Sequence, residues 1–102
     1  MYMAQKKVIV ALAQGFEEIE AVTVIDILRR AGIAVIAAAV DDVMVKGSRG
    51  VSILADKLLG QAGEDFDAIV LPGGSPGADN LAASKKIKGL IQKFDKEGKL
   101  IA

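Results

Sequence analysis

The chain contains no cysteine and no histidine among its 102 residues. Without cysteine there is no disulfide and no thiolate metal site. Without histidine, neither a Ser-His-Asp nor a Cys-His arrangement can be assembled from this chain alone. Net charge is missing too, because thirteen basic and thirteen acidic residues cancel. A neutral chain offers no electrostatic case for nucleic acid or for an anionic membrane surface. No apolar stretch approaches the roughly 20 residues that a membrane span needs. The first apolar run, Val8 to Ala13, is short, and Gly15, Glu17, Glu18 and Glu20 follow it, unlike a signal peptide. The expectation is a cytoplasmic protein with no metal, no cofactor and no membrane partner.

Apolar residues are plentiful, at 52% of the chain. That is high for a domain of this size and suggests strands covered on both faces. A small domain hides only a modest share of its surface, so a chain this apolar is expected to pack against a further segment or a second chain.

The pattern along the chain alternates strand and helix. VIVALA (Val8 to Ala13) is a continuous apolar run ended by Gln14-Gly15, a buried-strand signal. Glu17 to Ala31 predicts a helix. Acidic residues open it and Arg29-Arg30 close it, as the helix dipole favours, and Gly32 is placed to cap it. Ile19, Val22, Ile25, Ile27 and Leu28 form a wide stripe that predicts deep burial. Ile33 to Val40 is a second apolar strand, which completes a βαβ unit with parallel pairing and a right-handed crossover. Met44 to Lys46 and Val51 to Leu54 are short strand candidates around Gly47-Ser48-Arg49-Gly50, and Gly60 to Asp65 is a predicted loop. Ala68 to Leu71 is a third buried strand. It runs into Pro72-Gly73-Gly74-Ser75-Pro76-Gly77, a sharp turn. A short helix over 78–83 and a second main helix over 85–97, N-capped by Ser84, follow. In the latter, Ile87, Leu90, Ile91 and Phe94 share one face, and Lys86, Lys88, Lys93 and Lys96 cover the other. Leu100-Ile101-Ala102 starts another strand. The expectation is a single partial domain over 1–102, completed by a missing or separate C-terminal segment.

In open parallel sheets, ligands bind beyond the carboxyl ends of the strands. Two turns occupy such ends: 13–20 after the first strand and 72–77 after the third. If those strands are neighbours, both turns face one crevice. The Pro-Gly-Gly turn either offers backbone N–H groups to an anion or needs glycine for geometry alone. It is neither G-x-x-x-x-G-K-[ST] nor G-x-G-x-x-G. Glu17 and Glu18 are most simply dipole-complementing residues on a solvated turn. Glu20, one helical turn after Glu17, either shares that role or points inward as a protonated, hydrogen-bonding carboxyl. On sequence grounds alone, Arg49 is an ordinary loop arginine. Asp26 is either buried and hydrogen-bonded or exposed.

The strings VIVALAQGFEEIEAVTVIDILRRAGIAV, KGSRGVSILAD, FDAIVLPGGSPGADNL and GKLIA together resemble the ThiJ/PfpI superfamily, and more closely its deglycase-like branch. The similarity runs nearly end to end and covers roughly the first half of a family member. It implies a flavodoxin-like α/β fold, a three-layer sandwich with a mostly parallel sheet, of which this is the N-terminal half. It also implies a homodimer. In the family, the strand that begins at Leu100 continues into a turn bearing a reactive cysteine, which this chain does not contain. Glu20 matches the glutamate that hydrogen-bonds that sulfur and favours its thiolate. Gly74 matches the glycine whose N–H faces the sulfur or an oxyanion, and Gly73 supports the turn. Arg49 matches an arginine near the site and the dimer contact. Nothing carries over to Ser75.

The resemblance implies deglycase or glyoxalase action on methylglyoxal-type carbonyls or their early adducts. A small carbonyl compound would be the substrate, and the chain's own C-terminal segment and a second copy would be its partners. The competing readings are an oxidative-stress sensor or holdase chaperone using a redox-active cysteine, and a fold fragment with no activity of its own. The peptidase label given to some members needs a histidine, and there is none here.

Overall fold

The computed structural model describes residues 5–102. Five parallel strands build the main sheet: β1 (Lys7–Leu12), β2 (Ala34–Ala39), β5 (Lys57–Leu58), β6 (Ala68–Val70) and β7 (Leu100–Ile101). Their order is β5-β2-β1-β6-β7. A separate antiparallel hairpin pairs β3 (Met44–Lys46) with β4 (Ser52–Leu54). The helices are α1 (Glu18–Arg30), α2 (Gly77–Ala83) and α3 (Lys85–Lys96), with a 3-10 turn at Leu59–Gln61.

β1 is central, hydrogen-bonded to β2 on one side and β6 on the other. Its position explains its unbroken apolar run. Val8, Val10 and Leu12 point to one face and Ile9, Ala11 and Ala13 to the other, and each face is covered. Burying those side chains contributes on the order of 2 kcal/mol per large residue. The first face packs against Ala21, Val24, Ile25 and Leu28 of α1 and against the hairpin through Val45 and Ile53. The second packs against Leu81 of α2 and Ile87, Leu90 and Phe94 of α3. Helix, sheet and helix make three layers, the α/β sandwich that the family resemblance implies.

Helix α1 differs from its expected burial. Ile19 is 72% exposed and Ile27 57%, and Ala21 is its only fully buried residue. A helix laid on a sheet buries one side only, here against Val8, Val10 and Leu12 of β1 and Val35, Ala37 and Ala39 of β2. Only positions 21, 24, 25 and 28, one i, i+3, i+4, i+7 face, reach the sheet. Asp26 proves exposed, paired with Arg30 at 2.9 Å one turn on. Gly32, at φ +83°, takes the left-handed position past the helix end, and its N–H donates to the Arg29 carbonyl at 3.0 Å.

β5 and the 3-10 turn went unexpected. Two residues carry no readable period, yet Lys57 and Leu58 pair with Ala38 and Ala39. Asp56, just before them, accepts from the Ala37 N–H at 2.8 Å and from Arg29 at 2.9 Å, which pins this edge.

Candidate functional site

After β1 the chain crosses to β2 over one face. After β6 it crosses to β7 over the other. The carboxyl ends of β1 and β6 therefore flank a topological switch point, where such folds open a crevice. The two turns singled out in the sequence meet there.

The turns are stitched by backbone hydrogen bonds. The Glu17 N–H donates to the Gly73 carbonyl at 2.9 Å, and the Gly77 N–H to the Gly15 carbonyl at 3.1 Å. Gly74 lies at φ +104°, and a Cβ there would stand 2.6 Å from the Glu17 nitrogen and 2.7 Å from the Gly15 oxygen. Only glycine fits such an approach. The Gly74 carbonyl accepts from Ala78 at 2.9 Å. Among the described residues, nothing accepts from the Gly74 N–H. Buried Phe16 anchors the turn from below.

The three glutamates divide into three tasks. Glu17 N-caps α1, its Oε2 accepting from the Glu20 N–H at 2.9 Å. Glu20 reaches across the crevice, and its Oε1 accepts from the Gly73 N–H at 3.1 Å. Its side chain is exposed here rather than pointing inward, because nothing among the described residues covers it. Glu18 is not on a solvated turn. Its Oε2 accepts from the N–H groups of Arg49 (2.7 Å) and Val51 (3.2 Å), and its Oε1 from the Ser48 hydroxyl (3.2 Å). Burial pushes its carboxyl up, but the N–H groups of Glu18, Val51 and Arg49 and the Ser48 hydroxyl outweigh it and hold the carboxyl below its ordinary value.

Arg49 sits at the tip of the β3–β4 hairpin, exposed, and its side chain makes no hydrogen bond or ion pair among the described residues. Its backbone, through Glu18, is bound to the start of α1. The site thus brings Glu20, Gly73 and Gly74 together, with Arg49 on the neighbouring hairpin.

Three contributors were not legible as such. Gln14 binds β3 like an added strand, its Oε1 accepting from the Lys46 N–H at 2.9 Å and its Nε2 donating to the Met44 carbonyl at 3.2 Å. Asn80 of α2 donates to the Gln14 carbonyl at 2.8 Å. Glu18 is the third. Each partner is 30 or more residues away in sequence, and no local spacing announces it. Beside Gly73 lies an apolar cavity of about 290 Å³, lined by Leu71, Pro72, Leu81, Ile87 and Ile91 among others.

The arrangement offers a carboxylate and backbone donors around one crevice, but no nucleophile. Among the described residues no cluster of three or more His, Cys, Asp or Glu could hold a metal ion, and no helix is long and apolar enough to cross a membrane.

Residues 6–102 match the model of the DJ-1/PfpI family. Protein DJ-1 homolog B of Arabidopsis thaliana is 40% identical over 104 residues, covering 100% of this chain and 24% of that protein. The Caenorhabditis elegans protein named glutathione-independent glyoxalase DJR-1.2 is 36% identical, with 96% of this chain and 53% of that protein covered. The solved structure of oxidized Toxoplasma gondii DJ-1 superposes with a TM-score of 0.90 at 44% identity, covering 94% of this chain and 53% of that one. The chain therefore spans about half or less of the length of these relatives. Family match, sequence identity and a shared fold agree, and this chain belongs to the DJ-1/PfpI family.

Proposed function

We propose that this chain provides the carboxylate-and-amide half of a cysteine-dependent site acting on methylglyoxal-type carbonyls, in a glyoxalase- or deglycase-type reaction. The observation that carries the reading is the meeting of Glu20 with Gly73 and Gly74 at the switch point, with the Gly74 N–H left without an acceptor among the described residues. The glyoxalase name of the C. elegans relative supports the substrate class.

The nucleophile would come from a C-terminal segment, covalently joined or separate, that continues β7. Its thiolate would add to the carbonyl carbon, forming a C–S bond as the carbonyl π pair moves to oxygen. The Gly74 N–H would stabilise that developing charge, and Glu20 would carry the proton between sulfur, carbon and oxygen. Arg49 would hold the polar end of the substrate. A second copy of the chain is the expected partner, and Ile19, Val22 and Ile27, large apolar side chains left exposed on α1, are what it would cover.

The test is Glu20→Ala in the protein carrying both halves. Methylglyoxal consumption should fall by about 10²–10⁴-fold, the usual share of a proton-transferring group. Unchanged turnover would remove Glu20 from the mechanism. A second reading, a redox sensor without turnover, is favoured by the oxidized state named for the T. gondii structure. Under it, peroxide adds oxygen mass at one cysteine, Glu20→Ala changes the extent, and methylglyoxal is not consumed.

A further inference from the structure

We propose that Glu18 is a positioning residue: its carboxylate fixes the hairpin tip so that Arg49 is presented beside the start of α1, where Glu20 reaches Gly73. The proposal rests on the reading above for what Arg49 then does. It rests on geometry for how Arg49 is placed.

One carboxylate takes three donors from the tip, at Ser48, Arg49 and Val51. The tip also approaches the glutamate as closely as it can. A Cβ on Gly47 would stand 2.5 Å from the Glu18 carboxyl carbon, so Gly47 is the residue that lets backbone and carboxylate meet. The Ser48 N–H adds a bond to the Phe16 carbonyl at 2.8 Å, and the Gly15 N–H donates to the Lys46 carbonyl at 2.8 Å. The hairpin tip and the β1–α1 turn are thus one hydrogen-bonded body. Among the described residues Glu18 is its only charged tie, since Lys46 and Arg49, the other ionisable groups in the contact, take part through their backbones.

Charge-assisted bonds to a carboxylate are about twice as strong as neutral ones. Glutamine keeps the length of the side chain but not two anionic acceptors. Glu18→Gln should therefore loosen the tip while leaving the sheet intact. Arg49 would remain present but would no longer be held.

Amide hydrogen exchange on this chain is the first measurement. Glu18→Gln should speed exchange at Arg49 and Val51 by about tenfold or more, with the β1 amides unchanged. Ser48→Ala, which removes one donor and keeps the carboxylate, should have a smaller effect at the same amides. Wild-type exchange at Arg49 and Val51 in Glu18→Gln would overturn the proposal. The second measurement uses the protein with both halves. Glu18→Gln and Arg49→Ala should each raise KM for methylglyoxal more than they lower kcat, and the double variant should be no worse than Arg49→Ala alone. An undiminished Glu18→Gln effect in the Arg49→Ala background would mean that Glu18 does not act through Arg49. Absence of turnover in the unsubstituted protein would instead overturn the proposed reaction, and the exchange result would still decide whether Glu18 holds the tip.

Discussion

At the crevice, two glutamates from one turn of α1 each hold a remote part of the chain. Glu20 and Gly73, singled out by the family resemblance, meet through a 3.1 Å bond. Glu18, identical in type and two residues earlier, read as a solvated acid because its partners lie 30 to 33 residues on. Its lowered pKa gives a signed expectation. A carboxyl depressed on folding contributes stability above its ordinary value of 4.5, and that contribution is lost as pH falls through the lower folded value. Glu18→Gln should therefore unfold at a lower temperature than wild type near neutrality. The gap should narrow as the buffer is taken below about pH 4.5 in a melting series. A gap that stays constant into acid would contradict the assignment. The glycines offer a second test. Gly32 at φ +83° has nothing within 4 Å of a built Cβ, whereas Gly74 at φ +104° would collide with backbone. Gly32→Ala should cost about 1 kcal/mol, from left-handed strain alone. Gly74→Ala should cost several kcal/mol, because strain and collision add. Urea unfolding of the pair separates the two contributions.

Among the elements, α3 announced itself and α1 misled. In α3 the apolar residues sit on one face only, and Ile87, Leu90 and Phe94 are buried as that face predicts. Its cap matched as well, with the Ser84 hydroxyl accepting from the Ile87 N–H at 3.2 Å. Ser84→Ala should cost about 1 kcal/mol and Phe94→Ala about 3–5 kcal/mol by chemical denaturation. In α1 the apolar residues spread wider than the one face that meets the sheet, so part of them stays outside. A stripe read from sequence counts apolar residues but not which of them the sheet reaches. Ile19→Lys and Ile27→Lys should accordingly change folding stability by no more than about 0.5 kcal/mol. If a second copy covers this helix, the same substitutions should lower the sedimenting mass. An unaltered mass would place the dimer contact elsewhere or nowhere.

At the scale of the whole molecule, parallel pairing followed from buried strands alternating with helices, and the three layers from the family resemblance. The crevice was conditional on the first and third strands being neighbours, and β1 does pair with β6. What sequence could not convey was the short β5 edge, and the fact that the hairpin is fastened at its tip, to the β1–α1 turn. Hairpins generally vary most freely at the tip and least where they join the body. Here residues 47–51 are bonded to Phe16 and Glu18, while Asp41 in the entering loop is exposed and outside any regular element. A residue inserted after Asp41 lengthens a connection, which costs well under ~1 kcal/mol of loop entropy. A residue inserted after Ser48 shifts two donors out of reach of Glu18 at once. Tolerance to length change should therefore run backwards along this hairpin. A library of single-residue insertions across 41–51, sorted for folded protein, should be populated in the entering loop and empty at the tip.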